Sequence, residues 1–217
     1  MSQNTSHAVM AQRVEAHDSL DDFPTQPWAT RALCEWLCLS MELQALEAWE
    51  PAANRGHMVA PLREYFRSVH ASDIHDYGLP SCEIVDFLWP SDRRGSWIIT
   101  NPPFRLAEQF ILTSLDRASS GVAVIVRTSF LESVGRYKNI FSVSPPTDIL
   151  QFTERVPMVK GRLTATGSTA TSYCWLVWRR SRFGFNTTEF HWIEPCRKRL
   201  ERASDYPADA TKEGDPS

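Results

Sequence analysis

The stretch that decides the fold is Trp97-Ile98-Ile99-Thr100-Asn101-Pro102-Pro103-Phe104, an apolar run followed by an amide, two prolines and an aromatic ring. The apolar run predicts a buried strand, and the prolines, which lack a backbone donor and have a fixed φ, hold the next residues rigid. The Asn101 side-chain oxygen and the Pro102 carbonyl can then accept hydrogen bonds from one exocyclic amine, with Phe104 stacked on the ring that carries it. A proline-rich turn after a buried strand explains the same residues equally well.

A second motif lies upstream, in the segment Glu50-Pro51-Ala52-Ala53-Asn54-Arg55-Gly56. It resembles the E-P-x-x-G-x-G loop that class I methyltransferases wrap around S-adenosylmethionine. Gly56 matches the second glycine and Asn54 replaces the first, a tolerable change because Asn adopts left-handed backbone more readily than other non-glycine residues. The resemblance implies that Ala52 and Gly56 contact the cofactor and that Glu50 accepts a hydrogen bond from its methionine end. An ordinary loop flanked by Pro and Gly is the alternative.

Acidic residues follow at the spacing that a nucleotide-binding βαβ unit needs. Asp73 directly follows the strand-like run 68–72, where a carboxylate can hold the ribose hydroxyls. Asp86 and Phe87 form an acidic-aromatic pair, which in class I methyltransferases binds the adenine amine and packs against its ring. Each acid by itself is also a common loop or cap residue.

A fourth motif precedes the first predicted helix. The segment Asp22-Phe23-Pro24-Thr25-Gln26-Pro27-Trp28 resembles an F-x-T-P segment that touches the methionine carboxylate. Phe23 and Thr25 match it, whereas Gln26 stands where a proline is usual; Thr25 also suits the N-cap of a helix. With these motifs in this order over about residues 21 to 180, the chain resembles S-adenosylmethionine-dependent DNA amino-methyltransferases, especially the small N6-adenine enzymes of phages and prophages.

The resemblance implies an α/β fold, the Rossmann-like class I methyltransferase fold: a doubly wound, mostly parallel, seven-stranded sheet with an antiparallel edge. It implies S-adenosyl-L-methionine as cofactor and N6 of adenine in DNA as methyl acceptor, in a flipped or single-stranded base. The catalytic residues would be Asn101, Pro102, Pro103 and Phe104. The same core serves enzymes that methylate cytosine N4, RNA adenine or protein glutamine. A degenerate fold that binds a partner or cofactor without catalysis also stays open.

Further substrate contacts are expected in two loops. Phe130 follows the apolar run 121–127 and resembles the lining of a target pocket, although it also suits the core. Met158 stands near the position where related enzymes place an aromatic that sandwiches the extruded base, and a thioether is a weaker substitute. Lys160 and Arg162 are candidate phosphate contacts, and a mobile exposed loop explains them too.

Composition sets the outer limits. The chain has 217 residues, of which 42% are hydrophobic, and this suits one domain, expected over 22–200, between a flexible start at 1–21 and a disordered acidic tail at 201–217. No apolar run is long enough to span a membrane and the start lacks signal-peptide features, so a cytoplasmic protein is expected. The sequence does not predict an oligomeric state.

Charge and cysteines add little to this. The net charge of -3 argues mildly against a nucleic-acid partner, but two basic groups could contact phosphates or belong to the protein's own surface: Arg179, Arg180 and Arg182, and Arg197, Lys198, Arg199 and Arg202. Five scattered cysteines contain no C-x-x-C pair. Cys34 and Cys38 are expected on a core face, and no metal site is predicted.

Periodicity predicts an alternation of strands and helices. Helices are expected over 28–43, 58–66 and 105–117. Strands are expected over 45–49, 68–72, 97–100, 121–127, 149–152 and 173–178, the last two as an antiparallel pair. Ligands of such a sheet bind at the carboxyl ends of its strands.

Overall fold

The computed structural model describes residues 21–166, 169–182 and 187–206, and these fold around one sheet of eight strands. The strands are β1 Glu47–Glu50, β2 Ser68–Asp73, β3 Glu83–Ile84, β4 Gly95–Thr100, β5 Ala118–Arg127, β6 Asp148–Phe152, β7 Tyr173–Arg179 and β8 Glu189–Ile193. The helices are α1 Pro27–Cys38, α2 Val59–Leu62, α3 Ala107–Arg117, α4 Val134–Arg136, which runs into a π-helical turn at Tyr137–Phe141, and α5 Arg197–Leu200. The 3-10 turns are Leu43–Ala45, Thr128–Leu131, Arg180–Arg182 and Ala203–Asp205.

The strand order is β3-β2-β1-β4-β5-β7-β6-β8. Neighbouring strands from β3 to β5 pair in parallel, β7 runs antiparallel to both β5 and β6, and β8 pairs in parallel with β6. The expected doubly wound α/β architecture is therefore confirmed. Three details differ from the prediction. The sheet has eight strands instead of seven, β3 and β8 are not among the six predicted strand ranges, and the antiparallel strand lies inside the sheet instead of at its edge.

The eighth strand escaped prediction because it has no buried apolar run. In β8, Phe190 and Trp192 are exposed, and the strand is joined to β6 by backbone pairing and by the His191 side chain, which lies 3.0 Å from Asp148. An edge strand with one solvated face lacks the continuous apolar run that marks a central strand of a parallel sheet.

The helices are shorter than predicted. α1 ends at Cys38, and α2 has only four residues, because beyond Leu62 the amides of Glu64 and Tyr65 bond three residues back instead of four. Gln26 is the N-cap of α1 and makes no side-chain capping bond, so the predicted cap at Thr25 is wrong. No described helix is both long enough and apolar enough to cross a membrane.

The core lies on both faces of the sheet. Along β5, Ala123 and Ile125 join a cluster beneath α1, while Val122, Val124 and Val126 join one beneath α3. This alternation follows from the two-residue repeat of a strand. The indole of Trp97 lies over Gly121, where an added Cβ would approach within 2.4 Å of the ring. The close contact requires glycine at this position.

Part of the predicted disordered tail is packed against α1. The buried guanidinium of Arg31 donates two 2.7 Å hydrogen bonds to Asp205, and it also binds Glu64. The Tyr206 side chain is buried and its hydroxyl lies 2.9 Å from Gln26 Oε1. The expectation of disorder is therefore wrong for 201–206, while 207–217 and 1–20 lie outside the described residues.

Only one residue of the predicted cysteine pair belongs to the core. Cys34 is buried in α1, and Cys38 is exposed at its last turn. The helix ends at Cys38, so the face that the pair would have shared does not continue into the core.

Candidate active site

A cavity of about 580 Å³ opens at the carboxyl ends of β1, β2 and β4. This is the edge at which a doubly wound sheet binds its ligands. The predicted site residues that line it are Phe23, Thr25, Ala52, Asp73, Asp86, Phe87, Asn101 and Pro103. Four motifs that are separated along the chain therefore meet in one cavity.

The loop after β1 is anchored to the end of β2. The backbone amide of Asn54 donates a 2.9 Å hydrogen bond to Asp73 Oδ2, and the amide of His75 donates one of 3.0 Å to Oδ1. Asn54 has φ 49°, the left-handed conformation expected for the residue that replaces a glycine. The side chain of Asp73 is thus held in place at the cavity wall.

Asp22 joins this loop to the segment before α1. It accepts a 2.7 Å hydrogen bond from the Asn54 side chain and a 2.9 Å bond from Arg55. A glycine in place of Asn54 could adopt the backbone conformation but could not make the first bond. Asn54 therefore links two walls of the cavity through its side chain.

Glu50 is fully buried behind the loop and is not among the lining residues. Its Oε1 accepts hydrogen bonds from Thr100 Oγ1 at 2.6 Å and from the Ala52 amide at 3.0 Å, whereas Oε2 has no partner among the described residues. Burial raises the pKa of this carboxyl to about 8, and the hydrogen bonds from Thr100 and Ala52 oppose the rise. Glu50 thus joins the loop after β1 to the last residue of β4.

Asn101 follows β4 with its side-chain amide in a defined orientation. Its Nδ2 donates a 2.8 Å hydrogen bond to the Phe23 carbonyl and lies 4.0 Å from the sulfur of Met158. Its Oδ1 is buried and accepts no hydrogen bond from any described residue. Because an orphaned buried acceptor is costly, an unused acceptor at a cavity wall indicates a group that accepts a bond from a ligand.

The Phe104 ring packs against two side chains. It lies 5.0 Å from the Phe23 ring, and the guanidinium of Arg127 lies 4.3 Å above its centroid. Its backbone amide bonds the carboxylate of Asp21. The guanidinium of Arg127 therefore covers one face of the ring.

The far end of the cavity is aromatic and acidic. Phe87 is buried between Trp49 and Phe110, with ring centroids at 5.1 and 5.0 Å, and Arg117 lies over its ring at 5.1 Å. The carboxylate of Asp86 accepts a 2.8 Å bond from the Leu88 amide and is otherwise exposed at the cavity. At the opposite end, the Thr25 hydroxyl is buried and has no partner within the described part of the chain.

Several predicted contacts do not line the cavity: Gly56, Pro102, Phe104, Phe130, Met158, Lys160 and Arg162. Gly56 turns the loop at φ 85°, and an added Cβ would lie 2.7 Å from Leu79. Phe130 packs in the core beneath Arg136, as its alternative interpretation expected. Met158 is buried beside Asn101, and Lys160 and Arg162 are exposed on the turn that follows.

The two basic groups form ion pairs and backbone contacts within the chain. Arg179 donates bonds of 2.8 and 2.7 Å to Asp148, and Arg180 binds the Leu115 carbonyl at 2.7 Å. The other ion pairs are Arg197 with Glu201, Arg199 with Glu35 and Arg202 with Glu64. This arrangement supports the alternative in which they belong to the protein's own surface; the Arg182 side chain lies outside the described part.

A cluster of potential metal ligands elsewhere in the sheet also involves Arg179. Asp148, Glu189 and His191 bring potential metal-ligating atoms within 4.8 Å of one another. Since Arg179 already binds both oxygens of Asp148, a cation there would face a guanidinium. The cluster therefore holds β6, β7 and β8 together without providing a metal site.

Sequence reasoning missed several lining residues, among them His57 and Tyr77. Burial lowers the pKa of His57, and the charge of Arg55 lowers it further. Arg55 also lies 5.2 Å from the Tyr77 ring centroid. The position of His57 directly after Gly56 was the available signal, whereas nothing in the sequence marks Tyr77.

Solved structures with a similar architecture include methyltransferases. A type I restriction-modification methyltransferase subunit from Streptococcus thermophilus matches with TM-score 0.60 and 11% identity, over 79% of this chain and 47% of that one. A modification subunit assigned to a type I restriction enzyme from Vibrio vulnificus YJ016 matches with TM-score 0.56 and 16% identity, over 88% and 51%. A Pyrococcus horikoshii protein assigned as an RNA methyltransferase matches with TM-score 0.52 and 15% identity, over 70% and 84%.

These similarities show that the chain has the class I methyltransferase fold. It spans about half the length of the two restriction-modification subunits. No protein-family model and no curated protein matches the sequence.

Proposed function

We propose that the protein transfers a methyl group from S-adenosyl-L-methionine to the N6 amine of adenine in DNA. The observation that carries the proposal is the Asn101 side chain, whose oxygen is buried at the cavity wall without a partner while its nitrogen is held by the Phe23 carbonyl. The bound nitrogen fixes which way the amide points. The oxygen is then preorganised to accept a hydrogen bond from an amine.

The cavity residues suit the proposed cofactor. Thr25 offers an unpartnered hydroxyl, suitable for a carboxylate, at one end, and Asp73 offers a carboxylate, suitable for ribose hydroxyls, between the loops. At the other end, Asp86 can accept from an adenine amine while Phe87 packs against the ring. When bound, S-adenosylmethionine supplies an electrophilic methyl group on sulfur.

The chain's own residues would bind and orient the acceptor amine. The lone pair of the adenine amine is delocalised into the ring, which makes it a poor nucleophile. Hydrogen bonds from the amine to Asn101 Oδ1 and the Pro102 carbonyl favour a pyramidal nitrogen whose lone pair points at the methyl group. The N–C bond forms as the S–C bond breaks, and the amine proton leaves to solvent. Positioning supplies most of the acceleration.

The base must leave its stack to reach this site. Flipping costs a few kcal/mol in a duplex, and stacking on Phe104 would offset part of that cost. Arg127, which covers one face of the ring, would move aside.

The test is transfer of labelled methyl from S-adenosylmethionine by the purified chain to unmethylated duplex DNA, single-stranded DNA, RNA and protein, followed by mass spectrometry of nucleosides and peptides. N6-methyladenine in DNA supports the proposal. N4-methylcytosine, or label in RNA or in glutamine, keeps the fold and replaces the acceptor. Calorimetric cofactor binding without transfer to any of the four acceptors leaves the non-catalytic alternative. Asn101→Ala is the control for contaminating activity.

A further inference from the structure

Both the nitrogen and the oxygen of the Gln26 side-chain amide bond residues that are far away in the sequence. Its Nε2 donates hydrogen bonds to the Pro157 carbonyl at 2.7 Å and to the Thr164 carbonyl at 3.1 Å. Its Oε1 lies 2.9 Å from the Tyr206 hydroxyl. The residue is 1% exposed. A buried glutamine with three long-range partners joins the start of α1 to two separate parts of the chain.

The position is the N-cap of α1, where Ser, Thr, Asp and Asn are preferred because their short side chains reach the free helix amides. Gln26 makes no capping bond. Its amide is directed at the segment 155–166, which we call the target-side loop. The stability that a capping side chain would give to α1 is therefore absent, and the side chain serves the loop instead.

The target-side loop approaches Asn101 at Met158, next to the residue that accepts one of the Gln26 bonds. Pro157 precedes Met158, whose sulfur lies 4.0 Å from Asn101 Nδ2. A second tether, from the Gly161 amide to the Asp22 carbonyl at 2.8 Å, holds the middle of the loop. The segment that carries Gln26 also carries Phe23, whose carbonyl orients the Asn101 amide.

We infer that Gln26 is a positioning residue that holds the target-side loop against Asn101 and thereby fixes the acceptor side of the site. Its two donated hydrogen bonds, of which the one to Pro157 is buried, span the loop from Pro157 to Thr164, so the loop cannot leave Asn101 without breaking them. The Tyr206 hydroxyl satisfies the amide oxygen on the opposite side and contributes no contact to the loop. The effect on turnover rests on the proposed function, whereas the effect on the loop does not.

The test compares Gln26→Met with Tyr206→Phe in the full chain. Methionine keeps the unbranched shape and removes all three hydrogen bonds. Phenylalanine leaves both bonds to the loop in place and removes the Tyr206 hydroxyl, which contacts Gln26 Oε1 and Glu201. Tryptic cleavage after Lys160 and Arg162 reports loop opening, with fragments identified by mass spectrometry. Loss of the two bonds to the loop should raise that cleavage rate about tenfold in Gln26→Met, and Tyr206→Phe should stay within about twofold of wild type. Gln26→Glu, which can offer at most one proton to two carbonyls, should be intermediate and serves if the methionine variant does not fold.

Activity and cofactor binding separate positioning from general stability. Gln26→Met should lower kcat about tenfold on whichever acceptor the wild type methylates, with the Kd for S-adenosylmethionine changed less than about threefold. Unchanged loop cleavage in Gln26→Met, equal acceleration in Tyr206→Phe, or parallel loss of kcat and cofactor affinity would overturn the inference. If the wild type methylates nothing, the proposed function fails, and the cleavage rates still decide whether Gln26 clamps the loop.

Discussion

We distinguish two sides of the cavity: a cofactor side, formed by the loop after β1 and Asp73, and an acceptor side, formed by Asn101 and the target-side loop. The two sides are held together in different ways. On the cofactor side, the bonds to Asp73 come from Asn54 and His75, which lie 19 and 2 residues away. On the acceptor side, the Asn101 amide is held by the Phe23 carbonyl, 78 residues away, and the loop beside it by Gln26, 131 residues from Pro157. The first side forms within one βαβ unit. The second requires the whole sheet to be in place.

This difference predicts that damage to the acceptor side leaves cofactor binding intact. Contacts within a few residues of each other close small loops, whereas contacts over 78 or 131 residues depend on the packing of everything between them. Substitutions on the two sides should therefore separate turnover from cofactor affinity.

The largest effect is expected for Asn101→Ala. Removing the side-chain acceptor that we propose for the amine should lower kcat by about a hundredfold to a thousandfold, as loss of one preorganised hydrogen-bonding group does in other active sites. The Kd for S-adenosylmethionine, measured by calorimetry, should change less than about threefold. Phe104→Leu is the matched comparison, because it removes stacking and leaves the acceptor. Equal loss of affinity and turnover in Asn101→Ala would contradict the division between the two sides.

Glu50 lies where the two sides meet, since it bonds both Ala52 and Thr100. Its folded pKa of about 8 lies above the ordinary value of 4.5. The folded protein therefore holds a proton that the unfolded chain releases, and stability present below about pH 4.5 is lost as the pH rises to about 8. Glu50→Gln, which stays neutral, should be more stable than wild type at pH 8 by up to a few kcal/mol.

Denaturant unfolding of both proteins from pH 5 to pH 8.5 measures this effect. The advantage of Glu50→Gln should grow with pH and level off above about pH 8. Thr100→Val serves as the comparison, because it removes the hydroxyl that bonds the carboxylate. A difference between Glu50→Gln and wild type that does not depend on pH would show that the carboxyl is ionised in the folded protein.

The two sides also differ in how much of them the sequence predicted. On the cofactor side, the loop after β1 was predicted from a motif in a short stretch, Asp73 from the end of an apolar run, and Asp86 and Phe87 from an acidic-aromatic pair. The left-handed conformation at Asn54 fits the expectation for an asparagine that replaces a motif glycine. The role of Glu50 could not be predicted from residue type, because its burial behind the loop depends on packing.

On the acceptor side, the sequence identified the Asn101 segment and placed Met158 near the target base. The Asn101 segment was found as a motif, but the contacts around its amide come from Phe23 and Met158, whose approach is set by tertiary packing. Gln26 was noted as a departure from a pattern, and its partners could not be predicted. The sheet class was predicted from apolar runs, whereas β8 was missed because an edge strand has none.

Asp73→Asn probes the cofactor side and should have a smaller effect than the changes above. Asparagine keeps one side-chain acceptor for the amides of Asn54 and His75 but removes the charge that would hold the ribose hydroxyls. Affinity for S-adenosylmethionine should fall about 10- to 30-fold, the range expected for a lost charged hydrogen bond. With saturating cofactor, kcat should return to within about threefold of wild type, and a persistent kcat defect would place Asp73 on the acceptor side as well.

Arg127→Leu should have the smallest effect, and it tests whether Arg127 gives way to a base that stacks on Phe104. The guanidinium lies 4.3 Å above the Phe104 ring, and a stacked base must displace it. An exposed cation–π contact is worth about 0.5–1 kcal/mol, so removing it should lower KM for a single-stranded adenine oligonucleotide about two- to fivefold in high salt, where charge attraction is screened. In low salt, the lost attraction to phosphate should offset the gain. Arg127→Lys, which keeps the charge and stacks less well, should retain the low-salt affinity. A raised KM for Arg127→Leu in high salt would mean that Arg127 contacts the bound substrate instead of giving way to it.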